Sequence, residues 1–149
     1  MVVLGILIVG ILLARLGGAL GVDSLSSWSA ATRAGLAVMF LFTATAHFNA
    51  MRHDMARMMP PWIPRPMAMV YFTGVCEVLG GLGLLLATTR TAAAIALIVF
   101  QVAVLPANVH AARAGVTLRG KPATPLAVRI PMQILFIALI WWSALASGS

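Results

Sequence analysis

The chain has 149 residues, 62% of them hydrophobic and only 9% charged, against about 45–50% apolar and about 25% charged in an ordinary soluble domain. It has too few polar residues to cover a soluble surface and reads as an all-α integral membrane protein with no soluble domain. The net charge of +7 would suggest nucleic acid in a soluble protein, but these arginines sit between apolar stretches, where they bear on topology and anionic headgroups, so no nucleic-acid partner is expected.

Roughly 20 apolar residues cross the hydrocarbon core as a helix, and five stretches approach that length. The first, Val2–Leu20, lacks the basic start of a signal peptide and runs straight into Gly-Gly-Ala-Leu-Gly, so it is expected to stay as a helix. The second, Ala30–Phe48, closes on His47. The segment 50–59 then places Met51, Met55, Met58 and Met59 at helical spacing, with Arg52, His53, Asp54 and Arg57 around the rest of the wheel. This predicts a short amphipathic helix in the membrane interface, its methionines in lipid. The run Pro60-Pro61-Trp62-Ile63-Pro64-Arg65-Pro66 cannot continue a helix and should be extended.

The third span, Met67–Ala87, carries Glu77 eleven positions after Pro66, about 16 Å along a helix and so near the bilayer midplane. An intramembrane carboxylate is costly and points to function. The alternative is a neutral or ion-paired carboxyl that only fixes helix packing. Thr73, Gly74, Gly80 and Gly81 lie within a turn or two, where a neighbouring backbone can come close. The fourth span, Thr91–Ala111, contains Pro106, which frees the carbonyl of Val102; Gln101 and Asn108 share a face from which their amides could satisfy that carbonyl or bind a ligand oxygen. His110 sits in its last turn. A polar loop over 113–124 follows, with Gly115, Gly120 and Pro122. The fifth span, Ile130–Ala146, opens on Arg129 and Gln133, one turn apart.

Arginine placement gives an orientation. With the amino terminus cytoplasmic, Arg52, Arg57, Arg65, Arg113, Arg119, Lys121 and Arg129 fall inside and Arg15, Arg33 and Arg90 outside, the split favoured by the positive-inside rule. Trp28, Trp141 and Trp142 then mark the outer interface and Trp62 the inner one, with the carboxyl terminus external. In that topology His47, Asn108, His110, Arg129 and Gln133 fall on the cytoplasmic half, with Glu77 as the deepest member of the set. Together with Gln101 they sketch a ligand pocket open to the cytoplasmic interface. No histidine pair has the His-x-x-x-His spacing of a metal site on one helix, so no metal is expected. Cys76 is the only cysteine, which rules out dithiol chemistry within one chain.

His47-Phe48 closing a span, Met59-Pro60-Pro61-Trp62-Ile63-Pro64, Tyr71-x-x-Gly74-x-x-Glu77, Pro106-Ala107-Asn108 and Arg129-x-Pro131-x-Gln133 follow one another between Ala31 and Trp142. In this order they resemble short members of the DoxX family. The resemblance implies an antiparallel four-helix membrane bundle, to which the first span here is an addition, giving five spans. It also implies a functionally mixed family, named for an association with thiosulfate:quinone oxidoreductase, with a eukaryotic branch that assists receptor assembly.

The resulting expectation is an inner-membrane accessory or redox-associated subunit whose pocket takes a small lipophilic molecule, a quinone being the leading candidate. The chain has no haem, flavin or cluster motif and no intrinsic cofactor is expected, so electrons would come from a partner, and catalysis by the chain alone stays open. The alternatives are an assembly factor that packs against other membrane subunits or a second copy of itself, and, third, a small transporter.

Overall fold

The computed structural model describes residues 2–118, 120–122 and 124–147; Arg119, counted above among the basic residues, and the last two residues of the chain lie outside this range. The elements are α1 (Val2–Ala19), a 3-10 turn (Asp23–Leu25), α2 (Trp28–Phe48), α3 (Arg52–Arg57), α4 (Pro66–Gly83), α5 (Arg90–Ala103), α6 (Leu105–Arg113), β1 (Thr117–Leu118), β2 (Lys121–Pro122) and α7 (Leu126–Trp141), which continues as a π-helical turn, Trp142–Ala146. Five helical segments are long and apolar enough to cross a membrane, α5 with α6 and α7 with its π turn each counting as one.

Local chemistry sets the ends of these helices and shifts several of them from the sequence expectation. Ser27 starts α2 by accepting the Ala30 amide on its hydroxyl at 3.1 Å, satisfying one of the orphan donors of a helix start. α4 opens on Pro66, whose missing N–H costs nothing at a first turn, and stops at Gly83 rather than near Ala87. There the Thr89 hydroxyl donates to the Gly83 carbonyl at 3.0 Å, stapling a tight turn that leads straight into α5. The fifth span begins four residues earlier than expected, directly after Pro125, whose carbonyl accepts the amides of Val128 and Arg129.

α6 ends where Gly115 takes φ +63° and the Val116 amide returns to the Ala111 carbonyl at 3.0 Å, a left-handed helix stop that favours glycine. The loop beyond it is not wholly irregular: Thr117 pairs with Pro122 and Leu118 with Lys121 in a two-stranded antiparallel ladder. This hairpin touches α3. α3 itself begins where the Asn49 side chain accepts the Met51 amide at 2.8 Å. Its methionines are not simply turned outward to lipid. Met58 is buried and Met51, Met55 and Met59 are half-buried, because α3 leans on α4 and α2.

α2 is the most connected helix. It packs against α1 and α4, and touches α7 and its π turn; α4 packs against α5, and α5 against α7. The apolar centre draws Leu7 from α1, Leu36, Met39 and Phe40 from α2, Leu97 from α5 and Phe136 and Ile140 from α7. Outward positions are equally apolar, among them Leu13, Phe72, Leu79, Val99 and Ile134, a pattern that suits hydrocarbon rather than water. α1 and α2 meet backbone to backbone: a Cβ on Gly35 would lie 2.9 Å from the Ile11 amide nitrogen, and one on Gly10 would lie 3.1 Å from the Gly35 Cα.

Successive long helices run in opposite directions, since Gly74 meets His47 while Gly81 meets Ala37, Gly80 meets Leu97 while Gly83 meets Ala93, and Asn108 meets Arg129 while Gln101 meets Gln133; the 49–65 and 114–125 connections therefore share one end, the connector end. The 20–27 and 84–89 connections share the other, the short-turn end.

Candidate functional site

Glu77, near the middle of α4, is buried at 8% exposure. Its Oε2 lies 3.6 Å from the His47 Nε2, too far for a hydrogen bond, and has no hydrogen-bond partner among the described residues. The Thr43 hydroxyl of α2 is the other polar group beside the carboxyl, although it already donates to its own helix at Phe40. His47, 5% exposed, is held from its other nitrogen. Nδ1 lies 2.7 Å from the Val70 carbonyl of α4 and 3.1 Å from the Thr73 hydroxyl. A carbonyl can only accept, so Nδ1 carries the proton, and in a neutral ring Nε2 is left as an acceptor facing Glu77.

This arrangement requires α2 and α4 to be close, and Gly74 makes them so. A Cβ there would stand 2.6 Å from the His47 Cβ. The imidazole thus lies across a helix face cleared by one missing side chain.

The seven residues singled out in the sequence divide into two groups. Glu77 and His47 belong to the α2/α4 contact just described. Gln101, Asn108, Arg129 and Gln133 belong to the contact of α5 and α6 with α7: Arg129 donates to the Asn108 side-chain oxygen at 2.6 Å, and the buried Gln133 amide donates to the Gln101 backbone carbonyl. No bond joins the two groups among the described residues. His110, half-buried in α6, joins neither through its side chain.

The repair of the proline break also differs from expectation. The helix is interrupted at Val104, between α5 and α6, and the carbonyl bonded across helices is that of Gln101 rather than Val102. Its donor comes from α7, not from the α5 amides. Among the described residues no three His, Cys, Asp or Glu side chains gather as metal ligands.

A large hollow lies elsewhere than the sequence sketch placed the pocket. An apolar groove of about 1080 Å³ runs between α4 and α5, from Met59 and Trp62 at the connector end to Leu86 and Thr89 at the short-turn end. None of the seven residues lines it. Its walls are small where helices usually carry bulk, at Gly80, Gly83, Ala92, Ala93 and Ala96. Thr73 belongs to both places, lining the groove while its hydroxyl meets His47. Sequence reasoning named Thr73 only as a small neighbour of Glu77 and missed Thr43. Hydroxyls are frequent in membrane helices and carry little signal alone.

A family described as a domain of unknown function, DUF8561, matches residues 36–144. The chain belongs to this family. The matched region contains both polar groups and both walls of the groove, and leaves α1 and the start of α2 outside. No curated protein and no solved structure matches the chain.

Proposed function

We propose that this DUF8561 protein is a five-span inner-membrane protein, an antiparallel four-helix bundle of α2, α4, α5–α6 and α7 with α1 added on the α2 side. Its connector end faces the cytoplasm. Its function is to bind a small lipophilic molecule with a polar head, a quinone being the leading candidate, as an accessory or redox-associated subunit. The carrying observation is the buried Glu77 carboxyl with an unpartnered oxygen, set beside His47, next to a groove whose wall includes Thr73.

The groove suits an apolar tail, being close to the upper end of ordinary ligand-pocket volumes of about 300–1000 Å³. The head then meets Thr73, His47 and Glu77, which can exchange hydrogen bonds or a proton with a carbonyl or hydroxyl oxygen. The resemblance to the DoxX family supports the same class of ligand. Any electrons come from a partner.

Trp62 lines the groove, whereas Trp28, Trp141 and Trp142 lie at the short-turn end. In a chain with those three changed to Phe, ubiquinone-1 is expected to quench Trp62 fluorescence saturably. Glu77→Leu should weaken this binding about tenfold or more, the loss of one hydrogen bond to a charged group, and Ala96→Phe should abolish it by filling the groove. Quenching linear in quinone and equal in all three chains would sink the proposal.

The full-height run of small residues favours a second reading, in which a helix of another membrane subunit lies in the groove. That reading expects Ala96→Phe to release a copurifying protein while Glu77→Leu retains it.

A further inference from the structure

At the short-turn end two arginines have no acidic partner among the described residues. Arg33 lies in the second turn of α2 and Arg90 is the first residue of α5. Each is half-buried, and they are near enough for their like charges to act on one another. The π-helical turn Trp142–Ala146 packs against both α2 and α5, so Ser143 sits between the helices that carry them. Arg33 donates one N–H to the Ser143 carbonyl. Two further donors of this corner are left over. The Arg90 Nε and the Ser143 hydroxyl are both buried and both without a hydrogen-bond partner among the described residues, and Ser143 is 1% exposed.

Among the described residues Asp23 carries the one carboxylate of this end, and neither arginine forms an ion pair with it. The start of α5 also has no side-chain cap, because Thr89 spends its hydroxyl on Gly83. The positive end of that helix therefore adds to the same corner.

Two guanidiniums, a hydroxyl and an uncapped helix start all call for a compact anion with several acceptor oxygens. A buried donor left unpaired is costly, and like charges held together need a counter-charge. We infer that Arg33, Arg90 and Ser143 form a binding site for a phosphate group at the short-turn end. Arginine forks match phosphate oxygens in pairs, and the serine hydroxyl supplies a third direction. Trp28, Trp141 and Trp142 are exposed at the same end, as tryptophans at the level of lipid headgroups commonly are. The phosphate can be that of a lipid headgroup or a free one.

The test uses the full chain, delipidated in detergent, and native mass spectrometry with three probes: dioleoylphosphatidylglycerol, dioleoylglycerol and inorganic phosphate. The wild type should hold one phosphatidylglycerol tightly and show no comparable site for dioleoylglycerol, which has the same tails and no phosphate. Arg90→Gln and Ser143→Ala should each weaken the phosphatidylglycerol adduct about tenfold, the loss of one charge-assisted or buried hydrogen bond. Arg113→Gln, at the opposite end, should leave it unchanged.

Displacement of the lipid by millimolar inorganic phosphate identifies a free phosphate as a sufficient ligand; failure to displace identifies the lipid. The Ser143 hydroxyl and the Arg90 Nε have no partner among the described residues, so Ser143→Ala removes no hydrogen bond seen to hold the fold together. Should Arg90→Gln still fail to fold, Ser143→Ala decides alone. Wild-type affinity for phosphatidylglycerol in Ser143→Ala and in a folded Arg90→Gln, or equal binding of dioleoylglycerol, overturns the site.

Discussion

His47 and Glu77 are a pair in which the two members do different work. The imidazole is bonded on Nδ1 to Val70 and Thr73 and fits the space left by Gly74, so it ties α2 to α4. The carboxyl is held more loosely: Thr43 of α2 is its hydrogen-bonding neighbour, and its Oε2 has no hydrogen-bond partner among the described residues. Gly74→Ala is therefore expected to destabilise the protein by ~1–3 kcal/mol through overpacking against the His47 Cβ. Glu77→Leu should leave stability unchanged or raise it, as replacing a buried polar group by an apolar one of similar size often does. Unfolding of both variants by denaturant in mixed micelles checks the order; a larger loss in Glu77→Leu than in Gly74→Ala would make the carboxyl a packing element after all. Glu77 was legible in the sequence because one carboxylate in a long apolar run stands out by its cost alone. Its surroundings were not. Thr43, Thr73 and the Val70 carbonyl become partners only once α2 and α4 take their relative rotation, and no spacing within either helix encodes that.

The segment from Arg90 to Arg113 is the element in which sequence and structure differ most instructively. Pro106 announces a break, but a proline does not say which carbonyl a neighbouring helix will reach. The side chain that reaches in is Gln133, and it takes the Gln101 carbonyl. Gln133→Leu should therefore leave a buried carbonyl unpaired, at a cost of ~1–3 kcal/mol. Pro106→Ala restores a backbone donor and lets the helix run through Val104, so that Gln101 can be satisfied within its own helix. The double variant should then be more stable than the sum of the single effects allows, by at least ~0.5 kcal/mol, readable from thermal unfolding of the four proteins. Strict additivity would mean that the junction is fixed by something other than the proline. The groove between α4 and α5 belongs to the same scale and was illegible for a related reason. Each small residue along it is common in membrane helices, and a hollow arises only from how two helices are set apart by the Gly83–Thr89 turn.

For the molecule as a whole, the sequence carried the helix class well, because unbroken apolar runs of membrane length have few alternatives in a chain with so little charge. Ends moved by a few residues wherever a cap or turn decided them, as at Ser27, Gly83 and Pro125. The proposed orientation rests on the seven-to-three division of basic residues in the sequence. Single cysteines at Gly120 and Ser26, in a Cys76→Ala background, should react with an impermeant thiol reagent from the cytoplasmic side only and from the outer side only, respectively. Reversal of the two would invert the topology and move the connector end outside. The seam between Gly10 and Gly35 has a further consequence, in the order of biosynthesis. α1 has its main packing against its immediate neighbour in sequence, and Arg15 is bonded to the linker carbonyls of Leu25 and Ser26, so the whole of that docking is available once α2 has been made. The contacts of α2 with α7 must wait for the last stretch to be translated. α1 and α2 can therefore close as a helical hairpin before the rest of the chain exists, leaving the half of α2 that will receive α4 and α7 with a partner already in place.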